Sequence, residues 1–192
     1  MIRDQVGMRV HLSSKWTIFS LVIFLAGVGW IWISRVPAGS AGSQFTAARQ
    51  GFLAPDFSLQ TLTGETVALS SLRGQPVLIN LWASWCAPCR AEMPAIQRVY
   101  QDYQAQGFQV LAVNTTNQDD PGKATAFAQQ LGLKFPILLD SNGIVGQQYQ
   151  LQSLPTSFFV DGNGIIREVV VGGPMSEALL RVRVEDLFKD SR

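Results

Sequence analysis

The sequence predicts an α/β fold, a central mixed sheet flanked by helices, and three observations carry that prediction. Strand-like and helix-like stretches alternate from Phe57 to Phe188, the pattern of a sheet covered by helices. Val77 to Trp82 is near-continuously apolar, as expected of a strand buried on both faces. Ser157 to Asp161 and Ile165 to Val171 flank Gly162-Asn163-Gly164, a hairpin signal that brings antiparallel strands into the sheet.

Ahead of this domain lies a different kind of segment. Trp16 to Ile33 contains no charged residue, and eighteen helical residues reach about 27 Å, close to the hydrocarbon thickness of a bilayer. Arg3, Arg9 and Lys15 precede it against one acid, Asp4, and Trp16, Trp30 and Trp32 sit near its ends. The positive-inside rule then gives a cytoplasmic N-terminus over 1–15, one transmembrane helix over 16–34, and an extracytoplasmic remainder anchored in the cell membrane. A cleaved signal peptide is the competing reading, with small residues from Ala38 to Gly42 for cleavage. The apolar run exceeds a usual signal core, which favours a retained signal-anchor. Residues 35–53 are rich in Gly, Ser and Ala and read as a flexible linker. The folded domain is expected over 54–192.

The domain's elements follow in order. Phe57 to Gln60 and Thr66 to Leu69 flank Thr63-Gly64 and predict an N-terminal β-hairpin. After the Val77–Trp82 strand, Pro88 to Gln104 reads as a helix containing Pro94, which removes a helical hydrogen bond. Phe108 to Asn114 is a strand, and Gly122 to Leu131 is a helix with Ala124, Phe127, Ala128 and Leu131 on one face. Phe135 to Asp140 is a strand, Ile144 to Tyr149 a short helix, and Ser176 opens a terminal helix reaching about Phe188. The chain has 192 residues, is 47% hydrophobic and carries a net charge of +1. That suits one domain plus an anchor, and offers no electrostatic footprint for nucleic acid.

The chemistry is concentrated in Trp85-Cys86-Ala87-Pro88-Cys89, which holds both cysteines of the chain. A Cys-x-x-Cys where a strand meets a helix is the layout of a dithiol that cycles between reduced and disulfide forms. The attacking species is a thiolate. Cys86 falls just before the first helical turn, where unpaired N–H groups and the helix dipole favour negative charge, so it is the expected nucleophile. Cys89, one turn further in, is the expected resolving thiol. Pro88 suits the first turn, where its missing N–H has no helical partner. Zinc would need about four ligands, and the lone His11 precedes the candidate span. A permanent disulfide here would close a very short loop with the smallest entropic return. No metal and no prosthetic cofactor is expected.

Asn80-Leu81-Trp82-Ala83-Ser84-Trp85-Cys86-Ala87-Pro88-Cys89-Arg90 resembles the active-site strand and helix start of the thioredoxin superfamily. Ala54-Pro55-Asp56-Phe57, Cys89-Arg90-Ala91-Glu92-Met93-Pro94 and Leu154-Pro155-Thr156 make it similar to the membrane-anchored TlpA/ResA-like branch, over about Ala54 to Lys189. The resemblance implies a thioredoxin-like fold with the N-terminal hairpin as an addition. It also implies a cis Pro155 opposite the dithiol, leaving the Leu154 backbone free to pair with an extended substrate strand. Glu92, three residues after Cys89, matches a glutamate of that branch. Partly buried, its pKa would rise, letting it exchange protons with the cysteines. A solvated first-turn glutamate is the plainer alternative.

Asn80 departs from thioredoxin itself, which places a buried aspartate there; an asparagine cannot titrate. Trp85 is expected to form part of the apolar contact around Cys86, Trp82 to be core packing, Arg90 to be solvated and Asp140 to be a turn residue. Asp161-Gly162-Asn163-Gly164 lacks the further ligands of a calcium loop and reads as a turn.

The function so implied is membrane-tethered thiol–disulfide exchange outside the cytoplasm. The enzyme would reduce disulfides in exported proteins, apocytochrome c before haem attachment among them, and a transmembrane electron carrier of the CcdA/DsbD type would recharge it. Three alternatives remain. A peroxiredoxin-like peroxidase resembles Thr-x-x-Cys, but Ala83 stands at that place. A disulfide-introducing oxidase differs only in potential. A non-catalytic peptide-binding or chaperone module would use the same groove without turnover.

Overall fold

A computed structural model describes residues 21–27, 30 and 45–190, of which 21–27 form a helix. The span expected over 16–34 lies mainly outside the described residues, as do the N-terminus over 1–15 and the linker as far as 44. Among the described residues no helix is long and apolar enough to cross a membrane.

The domain is built on a seven-stranded sheet of order β2-β1-β5-β4-β3-β6-β7. Its strands are β1 (Ser58–Thr61), β2 (Thr66–Ala68), β3 (Val77–Trp82), β4 (Gln109–Asn114), β5 (Ile137–Leu139), β6 (Thr156–Val160) and β7 (Ile166–Val171). The helices are α1 (Ala87–Tyr103), α2 (Pro121–Leu131), α3 (Ile144–Gln148) and α4 (Glu177–Asp190). β3, β4 and β5 run parallel, while β6 pairs antiparallel with β3 and β7 with β6. The sheet is therefore mixed, as expected. The N-terminal hairpin β1–β2 joins it through antiparallel pairing of β1 with β5.

β3 is buried at all six positions, and its alternation divides the core. Leu78 and Trp82 pack with Met93, Ile96 and Val99 of α1, Phe127 of α2 and Leu180 and Val184 of α4. Val77, Ile79 and Leu81 pack on the other face with Val145, Tyr149 and Phe158. Asn80 shares the parity of Leu78 and Trp82, so a polar side chain is delivered under α1.

The domain begins earlier than Ala54. Ala47 N donates to Leu53 O at 3.1 Å, Gly51 N to Ile166 O at 2.8 Å and Ile166 N to Phe52 O at 2.9 Å. Residues 46–53, expected within the linker, are thus bonded to the β7 end of the sheet, because their backbone groups meet free partners at Ile166. Pro94 lies inside α1. Asp120 caps α2 by accepting from Lys123 N at 3.0 Å, and Gly132 ends it in a left-handed conformation at φ 59°.

Candidate active site

Cys86 is the N-cap residue of α1, in an extended conformation, with Pro88 in the first helical turn. Cys86 N donates to Ala83 O at 3.2 Å and Arg90 N to Cys86 O at 3.0 Å, which holds the turn against the helix. Cys86 and Cys89 are joined as a disulfide with Cα atoms 5.3 Å apart. Cys89 N donates to Cys86 Sγ at 3.2 Å. A backbone N–H at a helix start is thus aimed at the sulfur expected to carry charge, an arrangement that favours a thiolate. Cys86 is 5% exposed and Cys89 fully buried, so only the first sulfur meets the surface.

That surface is a groove of ≈ 430 Å³ lined by Trp85, Cys86, Pro88, Gln118 and residues 151–154. Trp85 is 60% exposed, its indole held by donation from Nε1 to Gln118 O at 3.1 Å. The Leu154–Pro155 peptide is cis, as the resemblance implied. Leu154 lines the groove, whereas Pro155 is buried beneath it, its carbonyl accepting from Gly172 N at 2.8 Å. The structure thus gathers Trp85, Cys86, Pro88 and Leu154 at the surface and sets Cys89, Glu92 and Pro155 behind them.

Glu92 is not the solvated first-turn residue of the plainer alternative. It is fully buried. Its Oε1 accepts from Asn80 Nδ2 at 2.8 Å and its Oε2 from Met175 N at 3.1 Å. Burial pushes its carboxyl above the ordinary value, and the two hydrogen bonds only partly offset that rise. Asn80 Nδ2 also donates to Ser157 Oγ at 2.9 Å, so the asparagine spends its amide on Glu92 and Ser157. A Cβ on Gly173 would lie 2.7 Å from Glu92 Oε2 and 2.8 Å from Pro155 Cγ. Only glycine lets the loop after β7 close over both.

Several residues escaped the sequence. Arg90 is exposed, as expected, but its guanidinium also donates to Ser84 O at 3.3 Å and lies 4.6 Å over the Phe127 ring; its long side chain reaches back across the turn before Cys86. Asp140 is more than a turn residue: fully buried, it accepts from Val145 N at 3.2 Å and Gly146 N at 2.8 Å at the start of α3. Asp119 accepts from Ser84 N and Ser84 Oγ, each at 2.6 Å. No motif announced Asp119, Gln118 or Met175, because each reaches the site through tertiary contact. Asp161 accepts from Ile165 N and Arg167 Nε, each at 2.8 Å, the work of a hairpin turn. Among the described residues no group of three or more His, Cys, Asp or Glu side chains could hold a metal ion.

The chain that carries this site is similar to known proteins. A family model described as the AhpC/TSA family matches residues 51–169. The chain belongs to that family. Among its relatives, the thioredoxin-like protein YneN of Bacillus subtilis is 41% identical over 163 residues, covering 84% of this chain and 92% of YneN. The thiol-disulfide oxidoreductase ResA of Geobacillus kaustophilus is 35% identical over 161 residues, covering 84% of this chain and 88% of ResA. Of solved structures, a Chlorobium tepidum protein assigned as the thiol:disulfide interchange protein DsbE superposes with a TM-score of 0.67 at 36% identity. The match covers 72% of this chain and 97% of the other. With its Cys86–Cys89 pair, this AhpC/TSA family member is a ResA-like thiol–disulfide oxidoreductase of thioredoxin-like fold.

Proposed function

We propose that this oxidoreductase works as a reductant of disulfides in exported proteins, apocytochrome c before haem attachment among them, tethered to the outer face of the cell membrane. The observation that carries the reading is Cys86, at a helix start and edging a groove, with Cys89 within disulfide distance behind it.

In the reduced protein, Cys86 thiolate attacks one sulfur of a partner disulfide. The S–S bond breaks, a mixed disulfide forms on Cys86, and the second partner sulfur leaves as a thiolate that takes a proton. Cys89 then loses its proton to the Glu92 carboxylate and attacks Cys86 Sγ. The mixed disulfide breaks, the partner's first sulfur leaves as a thiolate that takes the proton back from Glu92, and the partner departs as a dithiol with Cys86–Cys89 left oxidised. Two electrons have passed to the partner. A raised pKa makes Glu92 a better proton acceptor than an ordinary carboxylate, suited to take and return that proton. Trp85, Pro88 and Leu154 form the substrate-binding surface, with Pro155 buried beneath it and the Leu154 backbone pairing with an extended partner strand.

The anchor over 16–34, the cytoplasmic segment over 1–15 and the linker up to the domain complete the reading. A domain held outside the cytoplasm needs electrons from across the membrane, and a carrier of the CcdA/DsbD type supplies that chemistry. A Cys89→Ser variant tests the scheme. It should accumulate a mixed disulfide through Cys86 with a partner identifiable by mass spectrometry. A Cys86→Ser variant with full cellular activity would instead favour a passive peptide-binding module.

A further inference from the structure

The β4–α2 loop carries a second carboxylate beside the dithiol turn, and it is unusually well supplied with donors. Asp119 accepts from Ser84 N and Oγ at 2.6 Å each, and from Asn114 Nδ2 and its neighbour Asp120 N at 2.8 Å each. Ser84 stands two residues before Cys86, and Asn114 ends β4. A single half-buried carboxylate thus ties the loop to the turn that presents the sulfur. The tie is reinforced at its base, where Thr115 N donates to Trp82 O at 3.0 Å and Thr115 Oγ1 to the same oxygen at 3.3 Å.

The consequence reaches the groove through the adjacent residue. Gln118 lines the groove, and its carbonyl receives the Trp85 indole N–H. Trp85 and Gln118, drawn from two loops, are held together only while those loops are held together. Charge-assisted hydrogen bonds are the strong ones, and a two-oxygen anion is what four donors require. An asparagine there would keep one acceptor oxygen and turn an NH₂ toward groups that are themselves donors.

We propose that Asp119 is a positioning residue for substrate engagement. It fixes Gln118 and Trp85 against the turn bearing Cys86, and so pre-shapes the groove that a disulfide-bearing polypeptide enters. This rests on the proposed function, in that the groove is taken to receive the polypeptide to be reduced. A groove that must be ordered on each encounter binds more weakly, because the ordering is then drawn from binding free energy.

The test uses the full chain, with insulin as the polypeptide disulfide and dithiothreitol as electron donor. Asp119→Asn should raise KM about tenfold while kcat stays within about twofold, since uniform binding is what is lost. Ser84→Ala, which removes one of the bonds, should raise KM by a smaller factor. Trp85 emission, assigned by difference from Trp85→Phe, should move to longer wavelength in Asp119→Asn. Folded variants, by circular dichroism, with parental KM and parental Trp85 emission would overturn the proposal. So would a fall in kcat at unchanged KM, which would place Asp119 in the sulfur chemistry. If Asp119→Asn does not fold, Ser84→Ala decides on the same criteria. A parent protein that leaves insulin oxidised would defeat the proposed function, and Trp85 emission would still judge the clamp.

Discussion

Glu92 and Asp119 are carboxylates built around the same helix start, and they are pushed in opposite directions. Glu92 is fully buried and accepts from two N–H groups; burial wins and its carboxyl is raised. Asp119 is also raised by burial, but less completely enclosed. Hydrogen bonds from Asn114, Ser84 and Asp120 outweigh that effect and hold it below its ordinary value. Donor count against desolvation decides the outcome in each place. One carboxyl is therefore pushed toward its protonated form, and the other is held toward the anion that serves as a structural tie.

The largest expected effect breaks the comparison on its chemical side. Glu92→Gln keeps the shape and removes the proton acceptor. Reduction of a disulfide substrate near pH 7 should fall by roughly 100-fold, the low end of general acid–base contributions. The thiol titration should lose its dependence on a neighbouring carboxyl. A rate and a titration curve equal to the parent's would remove Glu92 from the mechanism.

Asn80→Asp attacks the same pocket from the other side. The donor to Glu92 Oε1 becomes an acid, and two carboxyls facing each other at about the present 2.8 Å contact cannot both ionise. The pair should hold a proton well above the ordinary carboxyl range. Urea unfolding should show a cost of about 1–3 kcal/mol at pH 8, shrinking at pH 5, where the pair is protonated. Equal stability at both values would mean that the two side chains part and water enters.

The architecture was legible where local pattern decides it. The unbroken apolar run of β3, the Gly-rich turn before β7 and Pro88 after Cys86 each follow from local backbone and burial preferences. The outcome was less legible where residues far apart in sequence meet. Glu92 is enclosed by Met175, whose N–H comes from a loop 83 residues away, and Ser84 meets Asp119 across 35 residues. Residues 46–53 read as tether because they continue the Gly, Ser and Ala-rich stretch from 35, and no periodic pattern in them betrays pairing with Ile166. Asn80 was recognised as a departure, yet its role as donor to Glu92 depends on the register that sets β3 under α1.

A smaller effect separates the two carboxyls by sign. Glu92 has a folded pKa above its unfolded value, so its stabilising contribution is complete below the ordinary carboxyl range. It is lost as pH rises through the raised value. Asp119 has a folded pKa below its unfolded value, so its contribution is present above the ordinary range. It is lost as pH falls through the depressed value. Unfolding free energies measured from pH 3 to 8 should therefore show Glu92→Gln removing a decline toward high pH. Asp119→Asn should remove a decline toward low pH. Slopes of one sign in both variants would contradict the opposed shifts.

The smallest effect concerns a buried donor that has no acceptor among the described residues. Trp82 is fully buried beside Phe127 at 5.5 Å between ring centroids, and its Nε1 finds no acceptor among the described residues. Replacing it with Phe removes ring volume, which opens a cavity, and removes an unsatisfied N–H, whose burial carries a cost of about 1–3 kcal/mol. The two changes oppose each other, so Trp82→Phe should alter unfolding free energy by no more than about 1 kcal/mol. Trp82→Ala, which gains the same relief but leaves a far larger void, should cost about 3–5 kcal/mol. If the phenylalanine variant instead loses as much as the alanine variant, the indole N–H is satisfied by a buried water. Asn80 Oδ1 and Gln97 Nε2 are the further buried polar atoms without a partner among the described residues, and each would be open to the same test.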